Sequence, residues 1–85
     1  MASYKVRIKR SAAKELEAVP RKDRRRLVVR IEGLAGNPRP AGVQKLSGEE
    51  KYRIRQGDYR ILYEIVDEDL IVTVVRLGHR RDVYR

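Results

Sequence analysis

The chain of 85 residues contains no cysteine and one histidine, and these two scarcities remove whole classes of chemistry. Without thiols there is neither a disulfide framework nor a thiolate metal site. A single histidine cannot build a multi-histidine centre, and no H-E-x-x-H or similar spacing occurs. No metal and no cofactor are therefore expected. Long apolar runs are missing too, since nothing approaches the roughly 18 residues of a membrane span. Met1-Ala2-Ser3-Tyr4-Lys5 leads straight into an alternating pattern, with no apolar signal-peptide core. The expected setting is the cytoplasm, away from membranes. Acidic residues are also few. Lys and Arg together number 21 against 12 Asp and Glu, a formal charge of +9. Such a surplus favours a polyanionic partner: nucleic acid, an acidic protein or an anionic surface. Arginine predominates over lysine, and its planar fork suits bidentate phosphate contacts.

What is present suffices for one small domain. An apolar fraction of 41% can fill a modest core. Tyr4, Val6 and Ile8 alternate with Lys5, Arg7 and Lys9, the period of a strand with one basic face. Ser11 is a candidate N-cap, and Ala12, Ala13, Leu16 and Val19 follow on one helical face that stops near Pro20. Pro20 suits the first turn of a second helix, whose stripe is Leu27, Val28, Ile31, Leu34 and Ala35. Gly36-Asn37-Pro38 ends it. A loop follows, with a short strand at Val43–Leu46. Tyr52 and Ile54 then alternate with Arg53 and Arg55, and Gly57-Asp58 signals a two-residue hairpin loop. Tyr59–Val66 reads as a central strand, Asp67-Glu68-Asp69 as a turn and Leu70–Leu77 as a final valine-rich strand. The order is β-α-α-β-β-β, with a further strand possible. It predicts an α+β domain with a helical hairpin on one face of a mainly antiparallel sheet. No repeat or linker divides residues 1–85.

Three groups of side chains invite a functional reading. Arg21, Lys22, Arg24, Arg25, Arg26 and Arg30 crowd the second helix. They form either a solvated face or a docking surface for RNA phosphates. The two-residue loop places Gln56 opposite Tyr59, Arg55 opposite Arg60 and Arg53 opposite Leu62. Facing arginines repel one another unless an anion lies between them. The bland alternative is a long arginine stem covering apolar surface. The segment Arg76-Leu77-Gly78-His79-Arg80-Arg81-Asp82-Val83-Tyr84-Arg85 gathers the histidine, further arginines and a penultimate tyrosine beyond the last strand. Imidazole titrates near neutrality and can act as acid or base, although a lone histidine is often merely structural.

Tyr52-Arg53-Ile54-Arg55, Gly57-Asp58-Tyr59-Arg60-Ile61-Leu62-Tyr63 and Leu77-Gly78-His79-Arg80-Arg81-Asp82-Val83-Tyr84, in this order, resemble the RelE group of the RelE/ParE toxin superfamily. The early Ala12-Ala13-Lys14-Glu15-Leu16, the Asn37-Pro38 hinge and Lys45-Leu46-Ser47-Gly48 extend the resemblance over essentially the whole chain. It implies a ribonuclease toxin of a type II toxin–antitoxin system. Such a toxin cuts mRNA in the ribosomal A site without metal, by attack of a ribose 2′-OH on the adjacent phosphate. That reaction needs a base, an acid and cations around the phosphate. The resemblance assigns Arg60 and Arg80 to charge stabilisation, and Tyr84 to base stacking or proton transfer. Arg53 and Arg55 stand where relatives often carry lysines. Arginine stays protonated and makes a poor general base, so the proton question moves to His79 and Tyr84. Arg81 is expected to contact phosphate or rRNA. The implied partners are the ribosome with its mRNA and an acidic RelB-like antitoxin, which joins the toxin in a hetero-oligomer. The alternatives are a ParE-like inhibitor of gyrase and an RNA-binding module without cleavage.

Overall fold

A computed structural model describes residues 3–46 and 50–81. Seven elements follow in order: β1 (Lys5–Ile8), α1 (Arg10–Glu17), α2 (Arg21–Gly33), β2 (Gln44–Lys45), β3 (Lys51–Gln56), β4 (Tyr59–Val66) and β5 (Ile71–His79). The strands form one sheet ordered β1-β5-β4-β3-β2, with β1 parallel to β5 and the other pairs antiparallel. The expected α+β architecture is thus present, and β4 is the central strand. Among the described residues no helix is long and apolar enough to cross a membrane.

Residues paired across strands share a sheet face. One face is covered by the helices. It buries Tyr52, Ile54, Ile61, Tyr63, Ile65, Val72, Val74 and Leu77 against Ala12, Val19, Leu27, Ile31 and Leu34. The predicted stripe of α2 is therefore its buried side. The other face carries the intervening residues: Lys5, Arg7, Lys51, Arg53, Arg55, Arg60 and Glu64.

Some boundaries differ from those the sequence predicts. Ser11 lies inside α1; Lys9 precedes the helix and supplies no side-chain cap. The edge strand β1 hands directly to α1, and Lys9 donates its N–H to the Val74 carbonyl (2.9 Å), so the strand's own pairing fixes the helix start. Pro20 stands just before α2, at its N-cap. Leu70 belongs to the turn, with a left-handed φ of 54°, and its carbonyl accepts the Lys5 N–H at 2.7 Å. That bond fastens the turn to β1 and offsets the unfavourable conformation of a leucine there. The sequence-based short strand reduces to Gln44–Lys45.

A register shift sits between Leu62 and Tyr63 where β4 meets β5. Leu62 pairs with Arg76 but Tyr63 with Val74, so Val75 is an extra residue. This bulge reverses the alternation of β5. Val72 and Val74 face the helices before it, and Leu77 and His79 face them after it. Arg76 and Gly78 turn to the open face.

Candidate functional site

The hairpin register is the one the two-residue loop predicts. Gln56 lies opposite Tyr59, Arg55 opposite Arg60 and Arg53 opposite Leu62. Gly57 opens the loop with φ of 61°, a conformation that a side chain would oppose. Arg60 in turn pairs with Gly78 on β5. Glycine leaves the space beside Arg60 empty of a side chain. Past Gly78 the ladder continues, and Arg80 donates its N–H to the Asp58 carbonyl at 2.8 Å. This bond ties the start of the C-terminal segment to the hairpin loop. Arg55, Arg60 and Arg80 thereby line one small cavity of about 60 Å³, completed by Gly57, Asp58 and Tyr59. That is about the share of two waters in the liquid, enough for a tetrahedral oxyanion. Three arginines bordering such a space have the donors and the charge to hold an anion.

His79 is not part of that cavity. It pairs with Tyr59 on the helix-covered side, and the two rings meet edge to face with centroids 5.8 Å apart. The Val75 bulge causes this: without it His79 would share the face of Arg60. The imidazole Nδ1 accepts the Arg81 N–H at 3.3 Å. Tyr59, which lines clefts on both sides, has its hydroxyl pushed above the usual phenolic pKa by burial and then by Asp23 and Asp58. Arg53 is on the open face one ladder step from Arg55, bonded to the Gln44 side chain. Arg81 is exposed. Tyr84 lies outside the described residues, as do Asp82, Val83 and Arg85. On α2, Arg21, Lys22, Arg25 and Arg26 are exposed, while Arg24 is half-buried and donates to the Glu17 carbonyl at 3.2 Å. The structure thus brings Arg55, Arg60 and Arg80 together. It keeps His79 on the other side and leaves the basic helix as a separate surface.

Residues 6–84 match the family described as the ParE toxin of type II toxin–antitoxin systems, parDE. The chain belongs to the RelE/ParE family of toxins, and within it is RelE-like. Its fold matches that of a protein in the RelBE2 toxin–antitoxin complex from Mycobacterium tuberculosis, with a TM-score of 0.83 and 32% identity over 96% of this chain and 97% of that one. It also matches a chain of the archaeal RelE–RelB complex from Pyrococcus horikoshii, with a TM-score of 0.84 and 30% identity over 95% and 99%. In sequence it is 28% identical over 86 residues to a putative toxin, RelE1, of Methanocaldococcus jannaschii, covering 96% of each.

Two features of this RelE-like toxin escaped sequence reasoning. Glu15, on α1, accepts the Leu77 N–H at 2.9 Å through Oε1 and approaches Arg76 Nε at 3.5 Å through Oε2. Strand β1 ends opposite Val74, so among the described residues the backbone of β5 beyond it has no strand neighbour on that side. Glu15 takes that place. The second feature is an ionic cluster at the opposite end of the sheet. Arg39 grips Asp67 with two bonds of 2.8 and 3.2 Å, reaches Glu50 at 3.2 Å and donates to the Tyr52 hydroxyl at 3.2 Å. Tyr4 donates to Asp67 at 2.6 Å. Arg39, and next Tyr4, hold the Asp67 carboxyl down at about 2. Lys45 and Tyr52 likewise hold Glu50 below the usual carboxylate range. The cluster staples the α2–β2 loop to the β4–β5 turn. No spacing in the sequence links residues so far apart.

Proposed function

We propose that this toxin is an endoribonuclease that cleaves mRNA in the ribosomal A site and so stops translation. The observation that carries the reading is the cavity shared by Arg55, Arg60 and Arg80. In-line attack of a ribose 2′-OH on the adjacent phosphate expels the 5′-oxygen and leaves a cyclic phosphate and a free 5′-OH; one proton leaves the 2′-OH, one reaches the 5′-oxygen, and negative charge builds on the equatorial oxygens on the way. Guanidinium groups fixed in advance around that point stabilise the developing charge without reorganisation. Arg60 on the central strand and Arg80 beyond β5 grip the phosphate from two sides; Arg55 closes the third. Arg53 extends the grip along the strand. Arginine stays protonated and accepts no proton, so in this reading the proton steps fall to Tyr84, as in the family pattern. His79 faces the helices and is less suited to this role than the sequence suggests. Arg81 and the exposed cations of α2 dock on rRNA phosphates.

RelE proteins of M. tuberculosis and P. horikoshii occur in complexes with antitoxins. By analogy, an acidic RelB-like antitoxin pairs with this toxin in a hetero-oligomer and masks its cations, within the cytoplasm. A second reading comes from the family's ParE description: inhibition of gyrase without RNA cleavage. The arginine cavity favours the nuclease.

The test maps mRNA 5′ ends on stalled ribosomes for the wild type and for Arg60→Ala, Arg80→Ala, Tyr84→Phe and His79→Ala. Loss of one fixed donor to a transition-state oxyanion costs about 10²–10³-fold, and Arg60→Ala and Arg80→Ala should show it. If the wild type cuts no ribosome-bound mRNA but stalls gyrase, the second reading replaces the first.

A further inference from the structure

A second cleft, of about 260 Å³, opens where the end of α1 meets the end of β5, on the side of the sheet opposite the arginine cavity. Its walls are Ala18, Val19, Leu77 and Tyr59, and its polar side chains are Glu15, Arg76 and His79. Mostly apolar walls with a few placed polar groups are the make-up of a small-molecule site. We propose that this cleft is a nucleobase subsite, taking one unstacked base of the RNA strand whose phosphate occupies the arginine cavity. The proposal rests on the ribonuclease reading above.

The chemistry of the cleft suits a base. Glu15 and Arg76 approach each other at 3.5 Å in its lining, so it holds an acceptor and a donor side by side and lacks the surplus of cations found in the arginine cavity. Glu15 Oε1 already accepts the Leu77 N–H, which fixes the carboxylate in place. A carboxylate has about four lone-pair sites, so it can accept further N–H donors. His79 supplies the complementary group. Its Nδ1 accepts the Arg81 N–H, so the neutral ring carries its proton on Nε2 and donates from there. A fixed acceptor beside a donor matches a base edge with N–H groups next to a carbonyl or ring nitrogen. Guanine offers two adjacent N–H donors and a carbonyl. Uracil offers one N–H between two carbonyls, which a carboxylate repels. Tyr59 lines both cavities, with Arg60 next to it in the chain. Splaying single bases out of a strand is the usual mode of reading RNA.

The experiment is an amide NMR titration of the full chain with GMP, AMP, CMP, UMP and, separately, inorganic phosphate. The nucleotides, GMP most and UMP least, should shift Ala18, Gly78 and His79. Phosphate alone should shift Arg55, Arg60 and Arg80 only. Glu15→Gln keeps an acceptor for Leu77 and should weaken GMP about tenfold, the effect of losing a charge-assisted bond, with phosphate binding unchanged. Ala18→Leu, which fills the cleft from an exposed position, should do the same and decides the matter if Glu15→Gln misfolds. Nucleotides that shift only the arginine residues overturn the subsite and leave the ribonuclease reading standing. Base-dependent shifts in a protein that cuts no mRNA keep the subsite and remove that reading.

Discussion

Arg55 and Arg60 stand directly opposite each other on β3 and β4, on the uncovered face of the sheet. A like-charged cross-strand pair opposes folding by about 0.2–1 kcal/mol. Arg55→Leu is therefore expected to raise the midpoint of urea unfolding in low salt, with the gain shrinking as salt screens the pair. The same change should lower mRNA cleavage. A variant that loses stability while keeping full cleavage would show that Arg55 serves packing and not the phosphate.

Asp67 gives a pH dependence of defined sign. Its carboxyl is held at about 2 in the folded protein, below the ordinary 3.8, chiefly by Arg39 and then by Tyr4. A depressed carboxyl pKa contributes stability that is complete above the unfolded value and is lost as pH falls through the folded one. The loss should run from about pH 5 down to pH 2, steepened by Glu50, which shifts the same way. Unfolding midpoints measured across that range should fall more steeply for the wild type than for Asp67→Asn. Parallel curves would mean the Arg39 bonds do not persist in solution.

Tyr63 is buried at the centre of the sheet, and its hydroxyl donates to the Pro38 carbonyl at 2.6 Å. Tyr63→Phe leaves that carbonyl without its donor and should cost about 1–3 kcal/mol, each kcal/mol lowering Tm by roughly 4–8 °C in a domain of this size. Burial also pushes the phenol up to about 12. The raised value means that stability is full below about pH 10 and declines as pH rises through about 12. Thermal melts of both proteins, and the phenolate absorbance of the wild type in alkali, check the two statements.

Removing Val75 is expected to flatten the bulge and leave the pairs on either side in register, since Val74 and Arg76 then follow one another opposite Tyr63 and Leu62. Leu77, Gly78, His79 and Arg80 keep their faces, so thermal melts and mRNA cleavage should stay near those of the wild type. A loss of about 2–5 kcal/mol, the cost of vacating a fully buried leucine position, would show that β5 needs the extra residue to seat Leu77.

Much of this architecture is written in local patterns. The alternation of Tyr52 and Ile54 with Arg53 and Arg55, and the Gly57-Asp58 loop, determine the hairpin register, because a loop of two residues leaves one pairing. The period of Leu27, Ile31 and Leu34 determines which side of α2 is buried. The opposition of Arg55 and Arg60 follows from those local rules. Ser11 misled because a capping residue is favoured in isolation, whereas here the pairing of β1 with β5 sets where the chain leaves the sheet.

The phase of the last strand was decided only in the tertiary structure. No single alternation can be read from Ile71–Leu77, since five of its seven residues are apolar and the two polar ones, Thr73 and Arg76, fall on opposite phases of a two-residue repeat. The bulge at Val75 arises from fitting Val74 and Leu77 into the same core as Tyr63 and Ile61, a demand imposed by residues distant in sequence. That fit sends Arg80 to the arginines and His79 to Tyr59, although the two are neighbours in the chain. The sequence by itself determined which cations the toxin carries and how its hairpin pairs. Packing across the sheet determined which of them meet at one phosphate-sized space.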